Sequence, residues 1–176
     1  MRKVYLLTLG LVLLFIFSAC DQEQASDSVI KEVTVTTKGR VIQSVLKPLE
    51  RNTNSEEVNV SFQSLMTEPD VSIPYVKLGE IIEIEFSNTA PNSYKLTDYI
   101  LKDNGTLKYK KETAEPVNVE WADKTATFKL DSNMAAFLSS DSKDYESGAI
   151  IRGFRLTGEW LDQTKEITFV IRTDAK

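Results

Sequence analysis

The chain has 176 residues, a formal net charge of −5, no histidine and one cysteine. That length predicts a single domain, and the missing histidine excludes a Ser-His-Asp triad and histidine zinc sites. The lone cysteine excludes an internal disulfide and a thiolate cluster, the acidity disfavours a nucleic-acid partner, and no P-loop or dinucleotide glycine motif is present.

The first element is a targeting segment. Arg2 and Lys3 precede an uncharged, mostly apolar run from Val4 to Phe17, followed by the small residues Ser18 and Ala19. Charged, apolar and small-residue parts in that order predict a secretory signal. As a helix the run spans only about 21 Å, short of the roughly 30 Å of a bilayer core. The two cations stay inside, so the remaining chain faces outward. Phe17-Ser18-Ala19-Cys20 resembles the lipobox of bacterial lipoproteins, with Phe17 where Leu is usual. The resemblance implies cleavage before Cys20 and a diacylglyceryl group on its thiol. A thiol suits that role because it is the strongest side-chain nucleophile, and two acyl chains anchor stably where one does not. Asp21 resembles the inner-membrane retention signal of Gram-negative lipoproteins. The expected organisation is residues 1–19 as signal peptide, 20–29 as lipidated tether and 30–176 as the folded domain. The expected address is the cell membrane, facing out, with no cofactor.

Past the tether the hydrophobic period is two, the signature of half-buried strands. Strands are expected over Lys31–Thr37, Val41–Leu46 (or a helical turn), Glu57–Met66 and Glu80–Ser87. In the third, Val58, Val60 and Phe62 share one face. In the fourth, Ile82, Ile84 and Phe86 point inward and Glu83 and Glu85 outward. Asp103-Asn104-Gly105 predicts a hairpin joining Tyr94–Lys102 to Thr106–Lys110, since Asn-Gly supplies the positive φ angles of a tight turn. Two more hairpins are expected, Val117–Trp121 with Thr125–Leu130 and Ile150–Trp160 with Lys165–Thr173. Asp131-Ser132-Asn133 before an apolar stretch predicts one short helix at Met134–Leu138, plugging one end. The sum is an all-β, immunoglobulin-like antiparallel sandwich of about seven to nine strands, with Trp121 and Trp160 as core anchors.

Four groups of residues invite a functional reading beside a structural one. Glu83 and Glu85 lie two apart on one strand face, a spacing open to glycosidic acid-base chemistry or to an ordinary solvated face. Asp141, Asp144 and Glu146 crowd the Ser139–Gly148 loop, as calcium ligands do, though Lys143 sits among them. Arg152 shares its alternation face with Ile150, Phe154 and Leu156. There it either binds an anionic ligand or closes an internal ion pair. Tyr75, Tyr94, Tyr99, Tyr109 and Tyr145 suit a binding surface or ordinary strands equally.

Tyr99-Ile-Leu-Lys-Asp-Asn-Gly-Thr106, Asn133-Met-Ala-Ala-Phe-Leu138, Ile151-Arg-Gly-Phe-Arg-Leu156 and Phe169-Val-Ile-Arg-Thr173 are similar to segments of uncharacterised Gram-positive surface lipoproteins. That resemblance bears on location and fold, and implies no activity. The reading is a non-enzymatic, lipid-anchored binding or interaction module, its partners the membrane through the anchor and an envelope protein or small ligand. The alternatives are a carboxylate-dependent enzyme on wall glycans or a structural envelope component.

Overall fold

The computed structural model describes residues 33–49, 56–67, 71–161 and 163–176. The expected signal peptide, Cys20 and the tether lie outside these. Among the described residues ten strands form two antiparallel sheets packed face to face. The first sheet contains β1 (Val33–Thr37), β2 (Arg40–Ile42), β4 (Ile81–Phe86), β7 (Glu120–Ala122) and β8 (Thr125–Lys129), in the order β2-β1-β4-β8-β7. The second contains β3 (Ser44–Pro48), β5 (Ser93–Leu101), β6 (Glu115–Val117), β9 (Ile150–Trp160) and β10 (Gln163–Thr173), in the order β3-β10-β9-β5-β6. Among the described residues there is one α-helix, α1 (Glu56–Thr67), which follows β3. Among the described residues no helix is long and apolar enough to cross a membrane.

Alternation sorts the side chains. Ile82, Ile84 and Phe86 of β4 are buried while Ile81, Glu83 and Glu85 are exposed, because successive side chains point to opposite faces. Facing them from the second sheet are Leu96, Leu156, Ile167, Ile171 and a stack of Phe154 on Phe169 at 5.0 Å between centroids. The expected β9–β10 hairpin forms, paired from Trp160 opposite Gln163 to Thr173 opposite Ile150. Trp121 and Trp160 are partly buried at the rim of this core, where both meet Phe86. Met134–Leu138 is a 3-10 turn whose Ala135 and Ala136 close the end of the sandwich against Ile100 and Ile150.

Four strand expectations are corrected. Val41–Leu46 is not one strand: it divides between β2 and β3, which belong to different sheets. Glu57–Met66 is not a strand but most of α1. Val60, expected to share a face with Phe62, is 56 % exposed while Phe62 is fully buried. The buried set Ser61, Phe62 and Leu65 has helical spacing, and it lies on the outer face of the second sheet against Tyr99, Leu101, Ile151 and Val170. Thr106–Lys110 forms the expected turn but no strand. Only Gly105 has positive φ, at 78°, and pairing stops at a single bridge between Leu101 and Leu107. Two backbone bonds flank that bridge, from the Lys102 N–H to the Thr106 carbonyl and from the Lys108 N–H to the Ile100 carbonyl, each 2.8 Å, and the outward-facing Leu107 N–H donates to the Asn59 side chain on α1, at 3.0 Å. β5 pairs with β6, Leu96 opposite Val117. In the middle hairpin, Val117 belongs to β6 in the second sheet, and only Glu120–Ala122 pairs with β8. The chain therefore changes sheets at residues 118–119, and that crossing builds the site.

Candidate functional site

β7 covers β8 only as far as Thr127. Beyond it, Phe128, turned inward, and Lys129, turned outward, border a gap that Glu115, Pro116 and Val117 of β6 also line. The gap is a cleft of about 510 Å³, within the usual range for small-ligand sites. Val117, Val119, Phe128 and Phe154 supply apolar wall, and Glu115, Glu120, Lys129 and Asp131 supply charge. The chain enters the first sheet at Val33, opposite Phe86. The cleft borders Ile81 at the other end of β4, so it opens about 17 Å further along the strand.

The floor is ionic. Asp98 lies opposite Phe154, and Ile100 opposite Arg152, which makes Asp98 and Arg152 diagonal neighbours on the inner face. Both are almost fully buried. The Arg152 Nε donates to the Asp98 carboxylate at 3.1 and 3.2 Å and Nη2 donates to it at 2.5 Å. Nη1 donates to the Asp131 carbonyl at 2.6 Å. The guanidinium also lies 5.3 Å from the Phe154 ring centre, a favourable cation–π distance. Asn133 completes the group, donating to Asp98 at 2.6 Å and accepting the Ala135 N–H at 2.8 Å as the cap of the 3-10 turn. Of the two roles open to Arg152, the structure builds the internal ion pair, at the bottom of a cleft.

The other sequence candidates are not brought together there. Asp141 caps the 3-10 turn Ser142–Tyr145 by accepting the Lys143 N–H at 3.0 Å. Asp144 pairs with Lys108, and that ammonium holds its carboxyl below the usual carboxylate range. Glu146 is exposed. Among the described residues no group of three or more acidic or sulfur and imidazole side chains is arranged to hold a metal ion. Glu83 and Glu85 stand on the exposed face of the first sheet, opposite Thr127 and Thr125. Tyr75 donates to Asp174 at 2.6 Å, and Asp174 also accepts the Gly148 N–H at 2.8 Å. These bonds lower the Asp174 carboxyl and raise the Tyr75 phenol.

Sequence reasoning missed Asp98, Glu115 and Glu120, and read Asn133 as a cap, which it is, without its bond to Asp98. For Asp98 a signal existed: it falls between Leu96 and Ile100 on the inward face of its strand, as Arg152 does between Ile150 and Phe154. Opposite charges on the buried faces of two strands predict each other. For the two glutamates no signal existed, since their meeting depends on the sheet change at 118–119. Comparison with protein-family models, with curated proteins and with solved structures returned no match.

Proposed function

We propose that the chain is a lipid-anchored module on the outer face of a cell membrane, and that it binds a ligand or partner in the cleft rather than transforming it. The Cys20 motif supports the anchor. The observation that carries the binding reading is the cleft's position and build: it opens in the half of the sandwich away from Val33, where the chain arrives, and its floor is locked by Arg152, Asp98 and Asn133. A rigid floor costs a ligand little ordering on binding. An acidic domain is also repelled by anionic lipid, which leaves contact with the membrane to the anchor.

The test uses intact cells that carry the full chain. A photocrosslinker at Ser132, on the cleft wall, is expected to give a discrete adduct, and one at Thr34, on the exposed sheet face, none. Equal labelling at both positions, or none at either, overturns the binding reading. Cys20→Ala is expected to move the protein from the membrane to the soluble fraction; a variant that stays in the membrane overturns the anchor.

A further inference from the structure

We infer that the cleft takes a ligand whose recognised group is an organic cation with N–H donors, an ammonium or guanidinium on an apolar stem. The inference rests on the cleft being a binding site, and concerns what it recognises. Four carboxylates border the cavity, Asp98, Glu115, Glu120 and Asp131, against two cations, Lys129 and Arg152. The cations are already matched. Arg152 is committed to Asp98 and to the Asp131 carbonyl. Lys129 lies 3.7 Å from the Asp131 carboxylate. Glu120 has no side-chain partner among the described residues, and Glu115 spends one oxygen on the Met134 N–H at 2.7 Å. Two negative charges are left in excess at the mouth.

The backbone adds acceptors of the same sense. Pro116 pairs with Thr97 but has no N–H, so that pair lies outside the hydrogen-bonded set and turns its carbonyl outward. The open edge of β6 thus offers the cleft a backbone acceptor at Pro116. An anion would meet repulsion at the mouth and a neutralised guanidinium at the floor. A bare metal ion would leave the walls of Val117, Val119, Phe128 and Phe154 unused. A cationic head on a hydrocarbon stem uses both, its N–H groups on the carboxylates and its stem on the walls.

A free amine and a basic side chain of a peptide share this chemistry, so the experiment separates them. The full chain in non-ionic detergent is titrated with four probes: 1,5-diaminopentane, acetyl-Leu-Lys-Leu-amide, glutarate and 1,5-pentanediol. Methyl resonances of Ile81, Val117 and Val119 are followed. The two ammonium probes are expected to shift them, and glutarate and the diol are not. Combining Glu120→Gln with Asp131→Asn is expected to weaken ammonium binding about tenfold, with a reduced salt dependence, whereas Glu85→Gln leaves it unchanged. Tighter binding of the peptide assigns a peptide source; equal or tighter binding of the diamine assigns a free amine. Shifts with glutarate or the diol alone overturn the cationic assignment and leave the cleft a binding site. Silence with all four probes, or full affinity in the double variant, overturns the assignment as well. The crosslinking experiment decides separately whether the cleft binds anything.

Discussion

Asp98 is the residue on which most of the cleft depends. It neutralises Arg152, it takes the Asn133 amide, and through Asn133 it positions the 3-10 turn that closes the sandwich. A buried ion pair is not stabilising in itself, because removing two charges from water offsets most of their attraction. Breaking one is different, since it leaves an unmatched charge in the core. Asp98→Asn is therefore expected to cost about 3–5 kcal/mol, read as a fall in the urea midpoint. Replacing the pair together, Asp98→Leu with Arg152→Met, is expected to recover most of that loss, because no buried charge is left over. A single-variant cost below about 1 kcal/mol would mean that the Arg152 guanidinium reaches water through the cleft, since a solvated charge has little to lose. Half of this pair was legible before the fold was known. Arg152 stood out because a cation cannot stay unpaired among apolar neighbours, but identifying its partner required the β5–β9 register.

At the scale of elements, α1 explains both why the second sheet is buried on two faces and why the sequence misled. A strand's period of two and a helix's of 3.6 overlap over a few residues. Val58, Val60 and Phe62 fit the first, and Phe62 with Leu65 and Met66 fits the second. What distinguishes them is long range. Phe62 sits directly on Gly153, where an added Cβ would meet ring atoms of Phe62 at 2.8 and 2.9 Å and the Leu101 Cδ1 at 2.7 Å. The helix backbone also rests on Gly105, where a Cβ would lie 2.8 Å from the Gln63 Cα. Under the helix, Ser61 donates to Glu166 at 2.5 Å and Arg155 donates to it at 2.7 Å. Two glycines some fifty residues apart in sequence thus receive a helix whose own pattern is ambiguous. Strands such as β4 and β8 were legible because each carries its own alternation; β6, the helix seat and the lost Thr106–Lys110 strand were not, because they are made by contacts between distant segments. Gly153→Ala is expected to cost about 1–3 kcal/mol, the usual range for overpacking a filled core. Hydrogen exchange checks the location of that loss: amides of α1 should speed up well before those of β4. Uniform protection across both elements would show that Phe62 simply rotates away.

For the whole molecule, the end distant from Val33 is held by carboxylates as well as by the small apolar cluster of Ile100, Ala135, Ala136 and Ile150. Glu80 receives Lys38 at 2.8 Å, Asp144 pairs with Lys108, and Asp174 gathers Tyr75, Ser147 and Gly148. All three carboxyls are held below their ordinary values, Glu80 chiefly by Lys38, Asp144 by Lys108 and Asp174 by the Tyr75 hydroxyl. A carboxyl depressed in the folded state stabilises above its unfolded value, near 4. That stabilisation is lost as pH falls through the lower folded value. Tyr75 runs the other way. Its phenol is raised by donating to Asp174, so its contribution is full below about pH 10 and is lost as pH rises through the raised value. The apparent melting temperature is therefore expected to be flat from pH 6 to 9 and to fall on both sides, below 4 and above 10. Other carboxylates add to the acid limb, so the difference between the native chain and Asp174→Asn is the decisive measurement. The asparagine has no charge to titrate and does not raise the Tyr75 phenol electrostatically, so the variant should be less stable at neutral pH and lose less at both extremes. A variant that parallels the native profile from pH 2 to 11 would contradict the assignment of this tie to Asp174. Since Glu80 directly precedes the Ile81 that borders the cleft, acid should loosen the cleft end before the end where the chain enters.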